Sequence, residues 1–273
     1  MAQPTHPILH STPAPASETR PSRAALRACP APELGAHALV VVPTYNERSS
    51  LEALVAAVLE VAPLAHVLIV DDASPDGTGA LADALAARDE RVHALHRSGK
   101  LGLGTAYVAG FRWGLSRSYQ RFFEMDADFS HDPAELGRLF EALDAGGEVV
   151  LGSRNIPGGA ISGWGLGRRF ISKGGSAYSR VVLGVTVRDL TSGYKAFTRQ
   201  ALEAVGLASV CSNGYAFQIE MTFRALQAKL RVVEVPITFV DRRVGQSKMD
   251  HRIFLEAMGV VWRLRLDAML QRL

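Results

Sequence analysis

The chain has 273 residues, 48% of them hydrophobic and 21% charged, which excludes a disordered chain and can fill the core of one large or two small domains. Two cysteines, Cys29 and Cys211, exclude a disulfide framework and a metal-knuckle spacing and point to a reducing, cytosolic setting. The net charge of +3 conceals an asymmetry: residues 1–150 carry 12 basic and 19 acidic side chains, a net of −7, whereas residues 151–273 carry 18 and 8, a net of +10. An acidic half suits a cation, and a basic half suits phosphates or an anionic membrane; chance scatter over a solvated surface is the plainer alternative.

Seven of the 13 prolines precede residue 38, so residues 1–36 read as a disordered tail and residues 37–250 as the folded unit. The start of the chain lacks the basic opening and continuous apolar core of a secretory signal. Ala38–Val42 predicts a buried strand that stops at Pro43. Leu51, Leu54, Val55, Val58 and Leu59 recur at helical spacing, with Ser49 or Ser50 as a cap. His66–Val70 predicts a second strand ending in Asp71-Asp72, Gly77–Arg88 a helix, and Val92–Leu95 a third strand. A helix over Thr105–Ser116, a strand over Arg121–Met125, a helix over Pro133–Asp144 and a fifth strand over Glu148–Leu151 follow.

Beyond Gly152 the pattern changes. Gly158, Gly159, Gly163, Gly165 and Gly167 read as a flexible stretch running into Arg168-Arg169, followed by a turn over Thr191–Lys195. A helix near Ala216–Ala228 and strands near Val232–Val235 and Ile237–Val240 come next. The longest uncharged stretch after residue 37, Ala204–Ile219, has 16 residues, short of the roughly 20 that cross a bilayer. Residues 251–273 read as an amphipathic helix, either packed on its own domain or lying on a membrane with Trp262 near the headgroups.

Strands alternating with helices predict an α/β fold, a mostly parallel Rossmann-like sheet with helices on both faces. Such sheets bind ligands beyond the carboxyl ends of their strands, which places chemistry just after Val42, Val70 and Met125. Polar and acidic residues crowd those places: Pro43-Thr-Tyr45-Asn-Glu47, Asp71-Asp72 and Asp126-Ala127-Asp128. Two carboxylates converging at a strand end repel unless they share a proton or a divalent cation, and oxygen ligands suit Mg²⁺ or Mn²⁺. A solvated acidic turn, with Asp132 capping the helix at Pro133, is the plainer reading of the same residues. Arg168, Arg169, Lys173, Arg242, Arg243 and Lys248 supply positive charge suited to phosphate, with ordinary surface solvation as the plainer alternative, and Val244-Gly-Gln-Ser-Lys248 forms a glycine-containing loop suited to a diphosphate.

Two tempting motifs fail. Gly99-Lys-Leu-Gly-Leu-Gly-Thr105 lacks the Gly-x4-Gly-Lys-Ser/Thr order, and Tyr107 stands where a dinucleotide loop has its third glycine. Those glycines are expected to allow tight entry into a helix. His93, His96 and His131 lack zinc spacing and are expected to be structural.

Taken together, Val42-Pro-Thr-Tyr-Asn-Glu47, Val70-Asp-Asp-Ala-Ser-Pro-Asp-Gly-Thr78, Asp126-Ala-Asp128, Gly152-Ser-Arg154, Asn213-Gly-Tyr-Ala-Phe-Gln218, Glu234-Val-Pro-Ile-Thr-Phe-Val240 and Gly245-Gln-Ser-Lys-Met249 resemble the inverting family 2 glycosyltransferases. Within that family the likeness is to polyprenol-phosphate (dolichol-phosphate) mannosyltransferases, over about Leu39 to Met249. The resemblance implies a GT-A fold and transfer of mannose from GDP-mannose to a polyprenyl phosphate, with inversion. It implies that Pro43, Tyr45, Glu47, Val70 and Asp72 hold the guanosine, and that Asp126, Ala127 and Asp128 hold the sugar diphosphate. The implied metal ligands are Asp126, Asp128 and Ser130, although the family commonly has Gln where Ser130 stands. Arg168, Arg242 and Lys248 would bind phosphates of donor or acceptor; the chemistry of such a transfer makes Arg154 and Arg168 the candidates for the acceptor phosphate, and with Asp128, Arg242 and Lys248 these form the expected catalytic set. A UDP-glucose donor, or a non-catalytic sugar-nucleotide-binding subunit, are the alternatives. An NAD-dependent oxidoreductase is disfavoured because no glycine loop follows the first strand. The implied location is peripheral, on the cytoplasmic face of a membrane, directly or through an integral-membrane partner; nucleic acid is not an expected partner.

Overall fold

A computed structural model of the chain describes residues 34–163, 166–241 and 251–270, with backbone only for 166–172, 215 and 251–257. Seven strands form one sheet in the order β3-β2-β1-β4-β7-β5-β8. They are β1 (Ala38–Thr44), β2 (His66–Asp71), β3 (Val92–His96), β4 (Arg121–Glu124), β5 (Val149–Ser153), β7 (Lys195–Thr198) and β8 (Val232–Pro236). β7 runs antiparallel to both neighbours, and every other pairing in this sheet is parallel. A short parallel pair, β6 (Ala160–Ser162) with β9 (Thr238–Val240), stands apart.

The apolar runs form strands because both of their faces are covered. Along β1, Leu39 and Val41 enter one buried cluster, while Ala38, Val40 and Val42 enter the other, the two-residue alternation of a strand. The first cluster lies under α3 (Leu103–Leu115), α5 (Leu166–Leu183), α6 (Arg199–Val205), α7 (Gly214–Gln227) and α8 (His251–Met269). The second lies under α1 (Arg48–Val61), α2 (Thr78–Arg88) and α4 (Leu136–Asp144). α3 can approach the sheet because Gly110 has no side chain: a Cβ there would lie 2.4 Å from Val41 Cγ1.

Several sequence expectations need correction. The fifth expected strand is present as β5, but the unexpected β7 inserts between it and β4 and runs antiparallel to both. The glycine-rich segment after Gly158 runs into the 18-residue α5, which carries Arg168, Arg169 and Lys173. α1 begins at Arg48 with Glu47 as its N-cap, so Ser49 and Ser50 lie in the first turn and Ser50 Oγ donates to the Glu47 carbonyl. The Asp132 cap is as expected, its carboxylate accepting from Ala134 N over a single 3-10 turn at Pro133–Glu135. Among the described residues no helix is long and apolar enough to cross a membrane. On α8, Val261 and Leu264 are buried in the core, while Trp262, Leu266 and Met269, and Leu270 just beyond the helix, are exposed.

Candidate active site

Three loops crown the carboxyl ends of β1, β2 and β4, and each contains a non-glycine residue at positive φ: Asn46 (63°), Ala73 (53°) and Phe129 (60°). For Phe129 above all this is an uncommon conformation, tolerated where the surroundings over-determine it and often found at functional sites. The first two loops are stitched together. Asn46 N donates to Ser74 Oγ (3.0 Å), Glu47 N to Thr78 Oγ1 (3.1 Å) and Arg48 N to Asp76 Oδ2 (3.2 Å). Asp71 pins their bases, accepting from Thr44 Oγ1 at 3.0 Å and from Ser74 N at 3.0 Å.

Asp72 is engaged rather than open. Its carboxylate accepts from Arg97 Nη1 (2.8 Å), Leu101 N (2.9 Å) and Gly102 N (3.3 Å), so it anchors the glycine loop at the start of α3. Gly102 has φ 102° and the helix begins at Leu103, the tight entry expected of those glycines. Lys100 Nζ sits 4.4 Å from the centre of the Tyr45 ring, a cation–π contact. Val70 and Ala127 are buried, with their side chains in the core clusters; toward a ligand they can present main chain only. Pro43 is partly exposed.

The acidic pair lies beyond β4, not on it. β4 ends at Glu124, and Asp126 to Asp128 enter a turn. The pair is therefore carried by a fixed loop and not by the strand end itself. Asp126 N donates to His131 Nδ1 (3.1 Å), Tyr107 Oη donates to Asp126 Oδ1 (3.3 Å), and Asp128 Oδ1 accepts from Ser130 N (3.0 Å). Ser130 is buried, and its amide steadies Asp128. Burial pushes the Tyr107 phenol well above its usual range, with the charges of Asp126, Glu124 and Asp128 adding to it. The phenol therefore stays a donor. The two carboxylates form an oxygen-only donor set that fits Mg²⁺ or Mn²⁺. Among the described residues no group of three or more His, Cys, Asp or Glu gathers into a metal cage.

His131, expected to be structural, stands at the centre of this region. It is buried and stacks on Tyr194 with ring centres 4.8 Å apart. Burial lowers its pKa, against the opposing charges of Asp126 and Asp128. The Phe239 ring meets His131 edge-on at 5.8 Å and has Arg154 Cζ 5.4 Å from its centre, which brings Arg154 into the neighbourhood of the acidic pair. Arg154 is itself buried and paired with Asp189, Nη2 to Oδ1 at 2.7 Å.

Beneath the pair, Glu124 of β4 faces Lys195 of β7 in register. Lys195 Nζ donates to the Gln218 carbonyl and side-chain oxygens, both at 2.6 Å. Burial raises Glu124 to about 7 and lowers Lys195 to about 8. The side chain of Arg168, and all of Arg242, Arg243 and Lys248, lie outside the described residues. Sequence reading gave Tyr107, His131, Arg97, Asp189 and Lys195 no part in the site; of these only His131, five residues after Asp126, lies close to a site motif in the chain.

The comparisons with known proteins agree with this geometry. The family model described as Glycosyl transferase family 2 matches residues 39–206. A polyprenol monophosphomannose synthase of Mycolicibacterium smegmatis is 52% identical over 230 residues, covering 83% of this chain and 87% of that protein. An undecaprenyl-phosphate mannosyltransferase of Micrococcus luteus is 50% identical over 230 residues, covering 84% and 94%. Among solved structures, glucosyl-3-phosphoglycerate synthase from Mycobacterium tuberculosis, crystallised with Mn²⁺, UDP-glucose and glycerol 3-phosphate, superposes with a TM-score of 0.57 at 20% identity. It covers 86% of this chain and 79% of that one, a likeness of fold. The fold is GT-A, and the likeness to polyprenol-phosphate mannosyltransferases read from the motifs is borne out by these relatives. The chain belongs to glycosyl transferase family 2.

Proposed function

We propose that the protein transfers mannose from GDP-mannose to a polyprenyl phosphate, inverting the anomeric centre to give a β-linked lipid phosphate mannose. The observation that carries this is the 52% identity to a polyprenol monophosphomannose synthase over 87% of that protein's length. The site supports it chemically. A phosphate monoester has a second pKa near 6 and is largely dianionic at neutral pH. Its oxygen attacks without a strong general base, so catalysis reduces to alignment and to neutralising the departing diphosphate.

In this reading the stitched loops after β1 and β2, with Pro43, Tyr45, Glu47 and the Val70 main chain, receive the guanosine. Asp72 holds the Arg97–Gly102 loop beside it. Asp126 and Asp128 hold the divalent cation, with Ser130 acting through its amide; the cation supplies charge for the leaving diphosphate. Arg242 and Lys248 assist on the donor phosphates, and Arg154 and Arg168 receive the acceptor phosphate. The exposed Trp262, Leu266 and Met269 on α8, with Leu270 just beyond it, support a peripheral seat on the membrane that carries the acceptor; this reading puts the enzyme on the cytoplasmic face.

The test supplies GDP-mannose or UDP-glucose with a polyprenyl phosphate in liposomes, with and without Mg²⁺ and Mn²⁺, and follows the lipid product. A β-mannosyl lipid formed only from GDP-mannose and only with metal is expected. Glucosyl transfer from UDP-glucose at a comparable rate overturns the donor assignment.

A further inference from the structure

We infer that Asp189 is a positioning residue for this transfer: it fixes the plane of the Arg154 guanidinium, the group assigned above to the acceptor phosphate. The inference rests on the reading above that Arg154 holds that phosphate.

Arg154 follows directly on β5, and Asp189 lies in the connection between α5 and β7. The two are joined three times: Arg154 N and Nε both donate to Asp189 Oδ2, at 2.9 and 2.8 Å, and Nη2 donates to Oδ1 at 2.7 Å. One carboxylate thus holds both the main chain and the side-chain fork of the same arginine. Thr191 Oγ1 accepts from Nη2 at 2.9 Å and closes the cradle by donating to Asp189 Oδ1 at 3.3 Å. A fork-to-carboxylate pair fixes direction as well as charge.

Asp189 is fixed in turn. Its backbone N–H donates to Glu234 Oε1 (2.9 Å), and Arg188 N donates to Glu234 Oε2 (2.8 Å). Glu234 sits on β8 opposite Leu151 of β5, so the chain of contacts starts and ends on adjacent sheet strands. Burial pushes the Asp189 carboxyl up, but the Arg154 charge and hydrogen bonds outweigh it and hold it below the usual range. A buried ion pair is a weak source of net stability; what this one supplies is orientation. Arg154 Cζ lies 5.4 Å from the centre of the Phe239 ring, which meets His131 edge-on at 5.8 Å, and His131 accepts from Asp126 N, so the held arginine packs in the same neighbourhood as the acidic pair.

The experiment measures steady-state transfer by the full chain with GDP-mannose and a polyprenyl phosphate. The variants are Asp189→Asn, Arg154→Ala and the double variant, with melting temperatures alongside. Asp189→Asn should raise the acceptor KM about tenfold and lower kcat, while the donor KM moves less than about twofold. In the Arg154→Ala background the same substitution should add nothing to the acceptor KM. An unchanged acceptor KM in Asp189→Asn, equal shifts for donor and acceptor, or a full additive effect in the double variant overturns the inference. An unchanged acceptor KM in Arg154→Ala instead removes the Arg154 assignment itself, a distinguishable result. Should Asp189→Asn fail to fold, Thr191→Val removes one guanidinium partner and is read by the same criteria, with about a threefold rise in acceptor KM expected.

Discussion

The backbone N–H of Asp126 donates to Nδ1 of the buried His131, which assigns the imidazole proton to Nε2 and keeps the ring neutral beside two carboxylates. The loop that carries the acidic pair is thereby locked by a side chain five residues ahead, stacked on Tyr194 and edge-on to Phe239.

Replacing that acceptor should loosen the loop. His131→Phe keeps an aromatic ring between Tyr194 and Phe239 but leaves the Asp126 amide unpaired. A loss of about 1–3 kcal/mol in stability is expected from the orphaned donor, with a fall in transfer rate. Denaturant melts together with initial rates check it; unchanged values in both would show that the contact carries nothing.

Asp128→Ala removes half of the oxygen donor set. Transfer should fall at least about a hundredfold, with the melting temperature shifted by only a few degrees because Asp128 is partly exposed. Turnover at the wild-type level in this variant removes the metal assignment.

Lys195→Met should be costly. It removes the buried charge that partly offsets the burial of Glu124 and leaves the Gln218 carbonyl and side-chain oxygens without this donor, a loss of about 1–3 kcal/mol. Adding Glu124→Gln to that variant should recover most of the loss. Chemical denaturation of the three proteins measures the cycle; simple additivity would mean that the residues do not act on each other.

The Glu124 carboxyl has a folded pKa raised above its unfolded value. Its contribution is therefore fully present below the unfolded pKa and is lost as pH climbs through the folded value near 7. Glu124→Gln should gain on the wild type in melting temperature between about pH 5 and pH 7.5. Lys195, with its pKa lowered, works in the opposite sense at higher pH, so the comparison belongs in that window. A constant difference across it would contradict the raised pKa.

Gly110→Ala tests how closely α3 lies on the sheet. The added carbon would meet Val41 Cγ1 and Val70 Cγ2 at 2.4 and 3.3 Å, and overpacking of this kind costs about 1–3 kcal/mol. Ala is otherwise the better helix former, so a stabilised variant would mean that the helix moves away freely.

The sequence by itself determined the parallel half of the sheet and the address of the site. Apolar runs such as Ala38–Val42 and His66–Val70 announce strands buried on both faces, and the polar tripeptide Asp126-Ala-Asp128 falls where such strands end. These signals are local, written in periodicity and turn chemistry within a dozen residues. Tertiary structure decided the rest. β7 carries a buried lysine in a four-residue strand, a pattern that reads as surface until Glu124 and Gln218 are brought to it from 71 residues before and 23 residues after. Asp72 reads as an open ligand until Arg97 and the Leu101 and Gly102 amides fold onto it. Asp189 has no motif at all, and finds Arg154 across 35 residues. Such pairings leave no trace in spacing, because what selects them is the cost of burying a charge without its partner, and that cost exists only once the chain has closed around it.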